Sequence, residues 1–293
     1  MTELYTRVIP EFPVANRRLG RHVCHDSRSL AYQVKPRASL ARSVVWTRQT
    51  PVLDQGDLGS CTGNAACGVL GTDPFWSSLA ADLQVGLKLD EDEAVRLYGM
   101  ATQLDSYTGT YPPTDGGSDG ISVAKAAKNA GLISGYTHAM SLDAAVTALQ
   151  TRPVITGVNW YDSFDSPDAS GHVVISKDAQ VRGGHEFELV GVDVADKTFR
   201  AVNSWGDSYG DGGYFTFEYG DYERLLSEDG DVTQFTPITS PAPVPTPPPA
   251  PGGVADAALV TAGNAWERTI LSHLTKAGKL RVSFDAWKTS HGY

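Results

Sequence analysis

The stretch TPITSPAPVPTPPPAPGG, Thr236 to Gly253, holds eight of the seventeen prolines in this 293-residue chain. Proline carries no backbone donor, so neither a helix nor a sheet can run through such a segment. It reads as an extended polyproline spacer ending in a flexible glycine pair. The chain is thereby limited to one core before the spacer and a small module after it. The preceding 235 residues are enough for one sizeable domain, whereas the roughly 40 that follow are too few for a core of their own. In that tail Leu259, Ala262, Trp266, Ile270 and Leu274 recur three or four apart and draw one apolar stripe along a helix. The expected division is a basic arm (1–45), a main domain (46–235), the linker (236–253) and a helical docking module (254–293). That module is expected to bind itself or a protein partner.

Charge is distributed unevenly over these parts. Residues 1–50 carry nine Lys/Arg against three Asp/Glu, residues 51–253 ten against twenty-eight, and residues 254–293 five against three. An acidic body of net −18 repels phosphate, which argues against nucleic acid as a partner. The basic arm has a different partner available, the acidic body itself. It would either cross a functional cleft or complete the fold, with HDSRSLAYQV, His25 to Val34, patterned as a surface-packed strand. The sequence favours the structural role slightly, because no long amphipathic helix appears in the arm.

No run approaches the ~20 apolar residues that span a bilayer, and the first twenty residues lack the apolar segment of a signal peptide. The expectation is a cytoplasmic protein, virus-encoded or virion-associated as one variant of that reading, without a membrane partner. Three cysteines, Cys24, Cys61 and Cys67, are too few for a disulfide framework and suit a reducing compartment.

Within the main domain the pattern changes midway. Helices are predicted over 62–70, 90–101 and 122–129 and in LDAAVTAL after Ser141, supported by acidic first turns and N-cap residues. The second half offers PVITGVNW, HVVIS, HEFELVGVDV, TFRAVNSW and GGYFTFEY, short β-branched or aromatic runs separated by Gly and Asp. Helices followed by an antiparallel sheet make an α+β architecture.

The chemistry gathers in four places. VLDQGDLGSCTGNAA puts Gln55 six residues before Cys61, and Cys61 at the junction of a glycine-containing loop and a helical run. A thiol attacks as thiolate, and a helix N-terminus favours that anion. A base is also needed, and RGGHEFELVGVD offers His185 at a strand start. The following strand segment, AVNSWG, supplies Asn203 to fix the imidazole tautomer and Trp205 to shield that hydrogen bond. Singly, each is more often structural: a buried Cys, a core His, a turn Asn. His172 lacks the glycine context, Cys67 sits where a core residue belongs, and Cys24 has no motif around it.

Taken together, Gln55, GSC with Cys61, GGH with His185, NSWG with Asn203 and the following GDGGYF resemble the papain-like cysteine peptidases. The SCTGNA form is similar to the bacterial and viral branch, and the resemblance covers roughly Trp46 to Tyr219. It implies a two-lobed fold, no metal or organic cofactor, and hydrolysis of a polypeptide through an acyl-enzyme. Cys61 would be nucleophile, His185 base and then acid, Asn203 its orienting group and Gln55 the oxyanion donor. TDGGSDG, Thr114 to Gly120, resembles the cleft-lining segment, with Gly116 and Gly117 binding substrate backbone and Gly184 and Trp205 beside them. Leu58 stands where the family has a cysteine, and Glu186 follows the base where a small or apolar residue is usual. Two other readings fit the same motifs: a non-catalytic papain-fold binding or structural protein, such as a phage particle component, and a hydrolase of peptidoglycan peptides.

Overall fold

A computed structural model describes residues 4–26, 41–79, 84 and 86–238. The chain divides into compact units at Ser240/Pro241, inside the proline-rich stretch. The tail helix, its docking stripe and most of the linker lie outside the described residues. Thr236, the first residue of that stretch, pairs with Gly135 as the last residue of a strand.

The helices start where their capping chemistry sits. α1 is Cys61–Leu70, and α2 is the short Phe75–Ser78. α3 spans Glu91–Thr102, with Asp90 accepting from the Glu93 amide and three acidic residues in the first turn. α4 spans Gly120–Asn129, capped by Asp119 on the Ser122 amide, and α5 spans Leu142–Leu149, capped by Ser141 on the Ala144 amide. α1 is buried along its whole length. Its small residues make this possible: a Cβ on Gly63 would overlap the Ala94 carbonyl, so the α1 and α3 backbones meet directly. Leu70, Phe75, Leu97 and Val123 close the core of this helical side.

The β strands are β1 (Leu4–Arg7), β2 (Val23–Asp26), β3 (Val44–Val45), β4 (Gly135–Ala139), β5 (Val154–Tyr161), β6 (Val181–Asp193), β7 (Thr198–Val202), β8 (Tyr214–Glu218) and β9 (Asp231–Thr236). β1 and β2 form an antiparallel pair. The others make one sheet in the order β4-β9-β5-β6-β7-β8, with β3 on β6 and every pairing antiparallel. α6 (Tyr219–Ser227) packs against this sheet between β8 and β9 in the chain. An aromatic core of Trp160, Phe187, Phe215, Phe217 and Tyr222 fills the sheet side. α1 lies against β6, which brings the first residue of the one beside the middle of the other.

Two sequence expectations shift. HVVIS forms no strand: His172 makes a single bridge to Thr216, while Asp168 and Asp221 side chains accept the His172 and Ile175 amides that a ladder would otherwise take. β4, β9 and α6 were not expected, and β9 is central, pairing with both β4 and β5. Where Arg48 passes beneath α1 it meets Glu188 of β6 at 2.6 Å, both side chains buried.

Candidate active site

The loop before α1 is fastened to the loop after β7. The Gln55 amide donates to the Ser204 carbonyl (2.9 Å) and the Gly206 amide to the Leu53 carbonyl (3.0 Å). Ser204 Oγ then donates to Gln55 Oε1 at 2.6 Å, which fixes the carboxamide with Nε2 pointing the other way. Nε2 donates to the Leu58 carbonyl (2.8 Å) and, at 3.4 Å, to the Leu19 carbonyl. Cys61 is the first residue of α1 and wholly buried. Its thiol lies close to the backbone amides of Glu186 and Thr62, which favour the anion.

His185 stands on β6, opposite Val158 of β5. Its Nε2 lies 2.8 Å from Asn203 Oδ1, and that same oxygen accepts the Ser204 amide at 2.8 Å, which identifies it as the acceptor. Nε2 therefore carries the hydrogen, and Nδ1 keeps a free lone pair with no partner among the described residues. Trp205 stacks on the ring at 5.2 Å and Trp160 meets it edge-on at 4.8 Å. Glu186 points to the opposite side of β6, as strand alternation requires, toward Gly120 and Gly157.

Electrostatically, the site is at rest. Burial pushes the Cys61 thiol far above its ordinary value, with the Glu186 carboxylate adding to the effect. Burial also lowers His185 to about 3, against the Asn203 hydrogen bond and with help from Arg182. Both shifts favour the neutral forms of thiol and imidazole.

The N-terminal arm lies along both walls of this site. Trp205 Nε1 donates to the Arg18 carbonyl (3.1 Å). The Gly20 and Arg21 amides donate to the Gly184 carbonyl (3.1 and 2.9 Å). On the facing wall the Ser118 amide donates to the Gly20 carbonyl (2.8 Å) and the His22 amide to the Ser118 carbonyl (2.7 Å), a parallel pairing. The His22 ring bonds the Gly116 carbonyl at 2.6 Å. Gly117 has φ +80°, and a Cβ there would overlap the Gly20 carbonyl. A side chain at Gly184 would likewise overlap the Arg21 carbonyl.

All eight residues singled out in the sequence are thus gathered around one cleft. Gln55, Cys61, His185 and Asn203 lie at its centre, and Gly116, Gly117, Gly184 and Trp205 touch the arm. His172 is elsewhere, bonded to Thr216 on β8. Cys67 is core and Cys24 is buried on β2, and all three cysteines are free. Sequence reasoning missed Ser204, and it missed Tyr98, which accepts the Gly117 amide (3.0 Å) while donating to Asp115 (2.7 Å). It also missed Leu19 and Arg21, whose only signal is a glycine between two basic clusters in RRLGRH.

Comparisons with known proteins bear on the fold and the family. The family described as papain family cysteine protease matches residues 94–230. An uncharacterised peptidase C1-like protein of Acanthamoeba polyphaga mimivirus is 25% identical over 228 residues, covering 65% of this chain and 73% of that protein. Among solved structures, xylellain, a cysteine protease from Xylella fastidiosa, superposes with a TM-score of 0.57 at 20% identity, covering 77% of this chain and 100% of xylellain. Procathepsin L 3 from Tenebrio molitor larval midgut gives 0.51 at 18% identity, covering 75% and 76%. The fold is papain-like, α+β with an antiparallel sheet. The family match and the viral relative support a papain-like cysteine peptidase, a thiol-dependent hydrolase of polypeptides. Among the described residues no helix is long and apolar enough to cross a membrane.

Proposed function

We propose that Cys61 and His185 carry out peptide hydrolysis in a cleft that the chain's own N-terminal arm occupies. The observation that carries the assignment is the His185 tautomer: Nε2 spent on Asn203, Nδ1 bare, on the strand against which α1 sets Cys61. Nδ1 takes the thiol proton, the thiolate attacks the scissile carbonyl, and the imidazolium returns the proton to the leaving amine. The developing oxyanion is held by Gln55 Nε2 and the amide of Cys61, one of the first-turn donors that a helix leaves unpaired. Water then attacks the thioester with His185 again as base. Gly116, Gly117, Gly184 and Trp205 would hold the substrate main chain where they now hold the arm.

The arm reading is supported by what residues 18–22 engage. Gln55 Nε2 donates to the Leu19 carbonyl, and both cleft walls are saturated by arm backbone. With the arm in place a substrate has neither space nor hydrogen-bond partners. The experiment is labelling of the full chain carrying Leu19→Ala, which loosens the arm, by a peptidyl epoxide, followed by mass mapping. Label on Cys61, absent in Cys61→Ala and present in Cys67→Ala, is the expected result. Label spread over all three cysteines, or none, defeats the assignment. The C-terminal module, by its apolar stripe, would recruit a second copy or a protein partner. Its deletion should abolish self-association and leave short-peptide turnover intact.

A further inference from the structure

Arg21 is a fully buried arginine on a segment that the rest of the site treats as a ligand. Its backbone is hydrogen-bonded to one cleft wall at Gly184 and bridged to the other at Ser118. Its side chain goes down between them. Nη2 donates to Asp231 Oδ2 in a short ion pair and to the Asp229 carbonyl at 2.7 Å. The walls are glycine: a Cβ on Gly157 would lie 2.5 Å from Arg21 Nε and 2.7 Å from Glu186 Oε2, and one on Gly120 would lie 2.6 Å from Glu186 Oε1 and 3.3 Å from Asp231 Oδ1. Both Glu186 oxygens, Asp231 Oδ1, and Arg21 Nε and Nη1 are buried without hydrogen-bond partners among the described residues. Asp119 adds a third buried carboxyl nearby, already engaged in capping α4.

Every carboxyl in this hole belongs to the catalytic body: Asp119 to the α4 cap, Glu186 to β6, Asp231 to β9. Among the described residues, the guanidinium in it belongs to the arm. Once the arm leaves, Asp231 and Glu186 face an unfilled, glycine-walled hole, and a buried carboxylate without a cation is costly. An apolar side chain entering there would leave these carboxyls without a cation, whereas a guanidinium pairs with Asp231 Oδ2 and sets its charge beside Glu186, as Arg21 does.

We infer that the hole holding Arg21 is a specificity pocket, and that the enzyme selects peptide substrates carrying arginine at the position that enters it. Lysine is second best. A guanidinium donates to Asp231 and the Asp229 carbonyl from one nitrogen while its delocalised charge stands beside Glu186, and a compact ammonium cannot span that set. Gly120 and Gly157 are part of the pocket because any side chain there would fill it. The inference rests on the peptidase reading above, with Arg21 as the pocket's built-in occupant.

The test uses the full chain and pairs of otherwise identical peptidyl epoxides carrying Arg or Leu at each of the three residues before the warhead. Labelling of Cys61 is followed in the wild type and in Arg21→Ala, which vacates the pocket. The wild-type measurement does not depend on how the variant folds. At one of the three positions the Arg probe should react at least about tenfold faster than the Leu probe. That ratio should collapse toward one in Glu186→Gln/Asp231→Asn. Labelling with Leu equal to or better than Arg at all three positions overturns the pocket and leaves the peptidase reading standing. No labelling of Cys61 by any probe, in wild type or Arg21→Ala, overturns both.

Discussion

Replacing Leu19 with alanine should switch the enzyme on. Leu19 is fully buried and belongs to the sheet-side core, its Cδ1 so near the backbone that a Cβ on Gly183 would come within 2.6 Å of it. A buried Leu→Ala change costs about 2–5 kcal/mol. If the arm docks and undocks as a local unit, the whole of that cost falls on the docked state, because the undocked arm exposes residue 19 to water in either sequence. At about 1.4 kcal/mol per tenfold, the open fraction rises about thirty- to several-thousand-fold, stopping when the arm is mostly open. Apparent kcat/KM on a short fluorogenic peptide scales with that fraction. Alkylation of Cys61 by iodoacetamide should rise in parallel, since an uncovered thiol is no longer held neutral by burial. Thermal melting supplies the counter-reading. Were the arm an integral part of the fold, the same loss would lower the melting temperature by about 2–4 °C for each kcal/mol in a domain of this size. A marked fall in melting temperature with no gain in either rate would refute gating and assign the arm to stability. An unchanged melting curve with no gain in rate would refute it too.

Other expectations follow from the same geometry, each best measured in the Leu19→Ala background. Gln55→Ala should lower kcat by about 10²–10³ with KM nearly unchanged, since its Nε2 acts on charge present in the transition state; a pure KM effect would place it in substrate binding. Cys61→Ala should abolish turnover with the fold intact, while Cys67→Ala and Cys24→Ala keep it, as a fluorogenic assay with circular dichroism will show. His138 is buried, with its Nδ1 2.9 Å from Thr233 Oγ1 and burial lowering it to about 4. The unfolded chain takes that proton near pH 6.5 and the folded chain only near 4. Stability is therefore untouched above 6.5 and falls as pH drops through this window, by about 3 kcal/mol at 1.36 per unit. Asp105, raised to about 6 mainly by burial, works in the opposite direction. The informative quantity is accordingly the difference between wild type and His138→Phe in urea midpoints between pH 7 and 4, and a pH-independent difference would show that His138 does not titrate as described.

The proposed catalytic centre was legible in the sequence because its residues are short-range signals. Cys61 needs a loop running into a helix, and SCTGNA spells one; His185 and Asn203 sit on adjoining strands whose composition announces them. Ser141 as a cap and the acidic first turn beginning at Asp90 placed two helix starts in the same local way, whereas the Asp119 cap went unread and its helix begins at Gly120 instead of Ser122. What escaped depends on long-range pairing. β9 carries Thr233 and Gln234 among its apolar residues, and only its place between β4 and β5 makes it a strand. HVVIS errs the other way, with strand composition but amides taken up by Asp168 and Asp221. The arm is the larger case. Its charge pointed to the acidic body, yet the decisive group is one side chain, Arg21, whose partner Asp231 lies 210 residues away.

Charge attraction alone would leave the arm's position undefined, since a surface spread over ten or more carboxylates is screened within about 8 Å at physiological salt. Position comes from the short-range contacts, and in the proposed reaction each of these groups has a second use. Gly184 and Ser118 hold arm backbone with the same groups that a substrate backbone needs. Gln55 faces the Leu19 carbonyl with the donor that an oxyanion needs. Trp205 covers His185 while its Nε1 binds Arg18. An arm held in this way must be displaced by anything that is to be cleaved, contact for contact. Burial pushes the Cys61 thiol up and His185 down, so a closed cleft both blocks substrate and favours the neutral pair. Hydrating the site by moving residues 18–22 would relieve both shifts together, because desolvation is the leading cause of each. Resting and active states therefore need no rearrangement of Cys61, His185 or Asn203, only the departure of the segment above them.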